Sequence, residues 1–140
     1  PVASGCAYVV ILHLAPEYES NLAPILQAVT PLPVTVVTER VRVEPDHVYV
    51  VPPNQHLAMV DGALLVSPNT EPEDRRAPID IFFRTLAESH QSRGVCVVLS
   101  GSGADGSMGL KRVKERGGAV FVQNPRETAF AEMPRSAIAT

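Results

Sequence analysis

"VCVVLSGSGADGSMGLKRVKERGGAVFVQ", residues 95 to 123, decides the fold. It opens with a near-continuous apolar, β-branched run up to Ser100, the composition of a strand buried on both faces. A glycine-rich loop follows, then a helix through Arg116 that stops at Gly117-Gly118, because glycine permits the left-handed turn that ends a helix. A second apolar run, "AVFVQ", closes the stretch. Strand, crossover helix and strand make a βαβ unit, whose strands run parallel and whose connection is right-handed.

Outward from this unit, "AYVVILHL" (7 to 14) is another buried-strand run. Behind it Leu22, Ile25, Leu26 and Val29 recur at i, i+3, i+4 and i+7, predicting an amphipathic helix with Pro24 near its start, where proline is tolerated. "VTVVTE" (34 to 39) and "HVYVVP" (47 to 52) read as shorter strands separated by a turn at Pro45-Asp46, and "HLAMVDGALLVSP" (56 to 68) as a hairpin turning on Asp61-Gly62. This middle part is expected to be antiparallel. "PNTEPEDRRAP" (68 to 78) has no period and reads as a loop; Pro78 then opens a helix with the apolar stripe Ile79, Phe82, Phe83, Leu86 and Ala87. The fold class predicted is α/β: a doubly wound, mostly parallel sheet with helices on both faces and an antiparallel hairpin.

The totals fit one soluble domain. The chain has 140 residues, 45% hydrophobic and 19% charged, enough to bury a real core. A formal charge of −3, with no basic cluster beyond Arg75-Arg76 and Lys111 to Arg116, excludes a nucleic-acid partner. No apolar run approaches the ~20 residues of a membrane span and the start carries no targeting pattern, so a cytoplasmic location without membrane insertion is expected. Cys6 and Cys96 form no metal-type or CxxC pair, and Cys96 is expected to pack as a small hydrophobe. The chain begins just before a strand and stops at "PRSAIAT" without a polar tail, which reads as one piece of a larger protein.

Gly101, Gly103 and Gly106 shape the loop and reproduce the G-x-G-x-x-G spacing of a dinucleotide-binding turn. Two features oppose that use. Asp105 stands inside the loop, where a pyrophosphate would meet its carboxylate, and the place about 20 residues on that should hold a ribose-binding acid carries Gln123 and Asn124. Asp105 therefore has two remaining readings: a helix cap, or a carboxylate at the mouth of a parallel sheet that orients a histidine. His13 closes the run "YVVILHL" and so stands at the same kind of strand end, as a candidate general base. His13, His47 and His56 occupy different elements without ligand spacing, so no metal site is expected. A serine hydrolase also needs a serine on a sharp strand-to-helix turn. Ser4, Ser20, Ser100 and Ser102 do not occupy one, leaving a base and an orienter without a nucleophile.

The stretches "VVILHLAPEYES", "RVEPDHVYVVPPNQHL", "APIDIFFRTLAE", "GVCVVLSGSGADGSMGLKRVKERGGAVFVQ" and "MPRSAIAT" together resemble the catalytic domain of CheB-type chemotaxis protein-glutamate methylesterases, especially those fused to a CheR methyltransferase. The resemblance implies a Ser-His-Asp hydrolase that demethylates glutamate methyl esters on chemoreceptor helices and can deamidate glutamines, without cofactor or metal. It places the family's histidine on His13, its aspartate on Asp105, and its oxyanion-hole N–H on Ser102. The nucleophile belongs to a G-x-S-x-G-G turn one βα unit upstream of the strand ending in His13. Residues 1 to 140 are thus expected to be a single, N-terminally truncated methylesterase-like domain, nearly inert by itself. The partners implied are the cytoplasmic helices of methyl-accepting chemoreceptors and a fused or associated methyltransferase or response-regulator domain. The alternative is a non-catalytic docking or regulatory module in a CheB/CheR fusion. In the 68 to 78 loop, Arg75 and Arg76 are candidates for contact with an acidic receptor surface, and Arg135 is assigned packing or pairing.

Overall fold

A computed structural model describes residues 3–12, 21–70 and 77–140. In chain order the elements are β1 (Tyr8–Val10), α1 (Leu22–Val29), β2 (Val34–Val36), β3 (Val41–Arg42), β4 (Val48–Val50), β5 (Gln55–Val60), β6 (Ala63–Pro68), α2 (Pro78–His90), β7 (Val95–Val98), α3 (Ser107–Glu115), β8 (Ala119–Val122) and α4 (Glu132–Ile138). Short 3-10 turns at Gln91–Arg93 and Pro125–Glu127 follow α2 and β8.

The βαβ unit forms where the sequence puts it. β7 and β8 pair in parallel, Val95 opposite Ala119 and Val98 opposite Val122. Helix α3 leaves through Gly117, whose φ of +81° is the left-handed conformation expected of glycine there. The hairpin also forms: β5 and β6 pair antiparallel with Val60 opposite Ala63, and Asp61 and Gly62 both take positive φ, as a two-residue type I′ turn requires. Pro78 stands in the first turn of α2, whose Ile79, Phe82, Phe83 and Ala87 are buried. These meet Val37, Leu57, Leu64, Leu110 and Val113 in one core. The result is a mixed α/β fold with mostly parallel sheets and a small antiparallel one.

Two expectations need correction. The strands at 34 to 39 and 47 to 52 are not an antiparallel pair: β2 and β1 flank β4, both parallel to it. All three residues of β4 are buried, so it needs a neighbour on each side. The turn at Pro45-Asp46 exists, with Asp46 at φ +59°, and its carboxylate accepts the N–H groups of Ser4 and Gly5. It steers the chain into β4 beside β2, while β3 leaves to pair with β6. β1 ends at Val10, well before residue 14, and residues 13 to 20 lie outside the described residues. Helix α1 forms over the predicted residues, and on its stripe Ile25 is 60% and Val29 78% exposed. Residues 71 to 76, with Arg75 and Arg76, also lie outside the described residues. No helix of the described residues is long and apolar enough to cross a membrane.

Candidate active site

The loop between β7 and α3 sits at the carboxyl end of a parallel strand, where ligands of open α/β sheets bind. Gly101, Ser102, Gly103 and Asp105 line a cleft of about 730 Å³, and Val9 to Leu12, Ile79, Phe82, Phe83 and Met133 are also part of its wall. His13, the proposed base, lies outside the described residues; the residue before it, Leu12, is part of that wall.

Asp105 is indeed a cap, though of another helix. Its Oδ2 accepts the N–H of Ile79 at 3.1 Å and its Oδ1 that of Asp80 at 2.9 Å, two orphan donors in the first turn of α2. The N-cap of its own helix, α3, is Gly106, at φ +87° and without a side-chain cap. Both oxygens of Asp105 are thereby fixed in plane, at a helix N-terminus whose dipole favours a negative charge. Capping and orienting are compatible, since a carboxylate oxygen accepts more than one hydrogen bond.

The glycines have separate reasons. A Cβ on Gly106 would stand 2.7 Å from Ile79 Cγ2, so this residue is needed for contact as well as for its φ. Gly103 (φ +79°) has nothing within 4 Å of such a Cβ and is needed for conformation alone. One helical turn further on, Gly109 lets α3 lie against α2: its Cβ would meet Phe83 Cβ at 2.7 Å, and its N–H donates to the buried Asp80, which also pairs with Arg84.

The C-terminal segment holds the loop, a support the sequence signalled only through its "MPRSAI" motif. Gly101 N–H donates to Phe130 O and its carbonyl accepts Met133 N–H, both at 2.9 Å. Gly103 N–H donates to Glu132 Oε2 at 2.9 Å, Ser136 Oγ donates to Gly103 O, and Ser100 N–H donates to Gln123 Oε1. Between these occupied donors the exposed Ser102 keeps an N–H with no hydrogen bond among the described residues. Arg135, expected to pack or pair, is exposed and its side chain makes no ion pair among the described residues.

His47 and His56 have structural partners. His47 Nδ1 lies 2.9 Å from Pro45 O, and its ring stacks on Tyr49. His56 Nδ1 lies 2.9 Å from Asn69 Oδ1. Burial pushes the Cys96 thiol up to about 12, the behaviour of a packed, unreactive cysteine.

The description "CheB methylesterase" is that of a family model matching residues 1–140. The chain belongs to the CheB methylesterase family. A putative protein-glutamate methylesterase/protein-glutamine glutaminase of Leptospira interrogans is 32% identical over 99% of this chain, which spans 72% of that protein. A Myxococcus xanthus protein-glutamate methylesterase/protein-glutamine glutaminase is 33% identical over 91% of this chain, which spans only 38% of it. An uncharacterized 104.1 kDa protein of Rhodobacter capsulatus is 39% identical over 85% of this chain, which spans 12% of it. The crystal structure of the Thermotoga maritima CheB methylesterase catalytic domain superposes with a TM-score of 0.80 at 29% identity, covering 94% of this chain and 71% of that one. The CheB methylesterase fold therefore applies to this chain, which spans well under half of several relatives.

Proposed function

We propose that residues 1 to 140 are the larger part of a protein-glutamate methylesterase domain that cleaves glutamate methyl esters on cytoplasmic chemoreceptor helices, and deamidates glutamines there, in the cytoplasm. The observation that carries the reading is the loop itself: a carboxylate held by two backbone N–H groups and, three residues earlier, an unoccupied N–H, both on one cleft.

In this reading a serine from outside residues 1 to 140 attacks the ester carbonyl and His13 accepts its proton. Asp105 holds the imidazole tautomer and stabilises the imidazolium. The Ser102 N–H takes the developing oxyanion, as a preorganised donor that needs no reorganisation. His13 returns the proton to the departing methoxide, methanol leaves, and water hydrolyses the acyl-enzyme by the same route in reverse. No metal or cofactor enters. A fused or associated methyltransferase or response-regulator domain would set access to this cleft.

The test is Asp105→Asn in the full-length protein, with methanol release from methylated receptor as readout. Asparagine keeps through its amide oxygen one of the two α2 caps, a loss of about 1 kcal/mol that leaves the domain folded, but it reverses the tautomer preference of the histidine, so turnover should fall about 10³–10⁴-fold. Unchanged turnover in a folded variant refutes the triad. Reading the residues encoded before Pro1 adds a second check: without a serine turn there, the domain is a docking or regulatory module instead.

A further inference from the structure

Ser102, whose N–H has no hydrogen bond among the described residues, stands between two peptide groups that α4 holds. The first joins Gly101 to Ser102. Its carbonyl accepts the N–H of Met133 at 2.9 Å. A planar trans peptide points its N–H opposite to its carbonyl, so the Ser102 N–H is turned away from the first turn of α4. The second peptide joins Ser102 to Gly103, and its N–H donates to Glu132 Oε2 at 2.9 Å. The Ser102 N–H can swing only by rotation about the two backbone bonds of Ser102, and the two hydrogen bonds fix both ends of that rotation.

The two holds are not alike. At Gly101 packing backs the hydrogen bond: Met133 is buried, and a Cβ on Gly101 would stand 3.1 Å from Met133 Sδ. Ser102, Gly103 and Ala104 are all exposed, and nothing lies within 4 Å of where a Cβ on Gly103 would stand. Gly103 takes φ +79°, and glycine moves between backbone wells at little cost, so no steric barrier keeps this peptide in place. The Gly103 carbonyl accepts Ser136 Oγ only at 3.4 Å, long for such a bond. Among the described residues, the short contact on this exposed stretch is the one from Glu132, and a carboxylate acceptor makes it charge-assisted.

We infer that Glu132 is a positioning residue for the reaction: by fixing the peptide between Ser102 and Gly103, its carboxylate holds the Ser102 N–H in place for the developing oxyanion. The inference rests on the hydrolase reading above. It gives Glu132 a second task beside the one its place suggests. As the acid in the first turn of α4 it also complements the helix dipole. That task needs a negative charge and no particular reach, whereas Gly103 needs an acceptor at the end of a side chain of this length, charged or not. A preorganised donor acts on the transition state, so loosening it lowers kcat and leaves KM nearly as it was.

The steady-state kinetics of methanol release by the full-length protein test it, with three substitutions of Glu132. Glu132→Ala should lower kcat about 10-fold and leave KM within about 2-fold, less than the 10²–10³ lost with a whole donor, because the Met133 bond remains. Glu132→Gln keeps the reach and the acceptor without the charge, and should recover kcat to within about 3-fold of the native value. Glu132→Asp keeps the charge but is one methylene too short, and should stay near the alanine variant. The reverse order, with Asp recovering and Gln not, overturns the inference in favour of helix stabilisation, and so does an unchanged kcat in Glu132→Ala. Amide hydrogen exchange supplies a readout independent of turnover. Gly103 should exchange about 10-fold faster in the Ala and Asp variants than in the native and Gln proteins. Equal exchange in all four overturns the inference as well. That exchange pattern in a native protein that releases no methanol would sink the hydrolase reading and keep the Glu132 clamp, so the two failures are distinguishable.

Discussion

Strand β7 has two faces of similar composition and opposite fates. Cys96 and Val98 are 2% and 4% exposed, packed over α3 and α4, whereas their neighbours Val95 and Val97 are 58% and 55% exposed. Side-chain chemistry cannot separate them, since valine stands on both faces. What differs is whether another layer lies opposite, and a run of apolar residues records that a strand is meant for two layers without saying which one these 140 residues supply.

The largest effect that should follow is a contrast between two substitutions. Val98→Asp puts an unpaired carboxylate into the core and should abolish cooperative unfolding of residues 1 to 140, a loss of several kcal/mol. Val97→Asp should shift the denaturation midpoint by no more than about 0.5 kcal/mol. Equal damage from the two would break the comparison.

Alkylation sharpens the contrast with a smaller perturbation. Cys6 is exposed and Cys96 buried, with its thiol pushed up to about 12. At about pH 8 in native buffer, Cys6 should label readily and Cys96 at least ~1000-fold more slowly, limited by local opening. Comparable labelling of both in a mass spectrum would show the inner face to be open.

The smallest effect concerns pH. Burial, reinforced by the Arg93 charge, holds the His90 imidazole below the ordinary histidine range. The unfolded chain therefore takes up this proton first as pH falls, so the stability due to neutral His90 is present above the ordinary range and lost as pH drops through the lowered value. His90→Asn should flatten the dependence of the urea midpoint between about pH 7 and pH 5. An unchanged slope would assign it to other groups.

Much of the fold was legible because short-range chemistry dictates it. Asp61-Gly62 supplies the two positive φ values of its hairpin, and Gly117 the left-handed stop after α3. The parallel course of β2 and β4 was not legible: the Pro45-Asp46 turn looks like a hairpin turn, and only the demand of buried β4 for two partners overrides it. Asp105 was legible as a cap and as a cleft carboxylate, but its caps lie some 25 and 26 positions back, in α2, a partner no local pattern indicates. Glu132 and Phe130, which tie down Gly103 and Gly101, escaped notice for the same reason.

By itself the sequence determined the element types, the βαβ unit, the glycine loop with Asp105 inside it, and the family, because periodicity, turn chemistry and motif are local properties of a chain. Tertiary structure alone decided which strands are neighbours, that Asp105 caps α2, that α1 turns Ile25 and Val29 to solvent, and that the β1 and β7 edges share one cleft. Those outcomes depend on which surfaces meet, and burial and hydrogen bonding between distant segments are settled only when the whole chain packs.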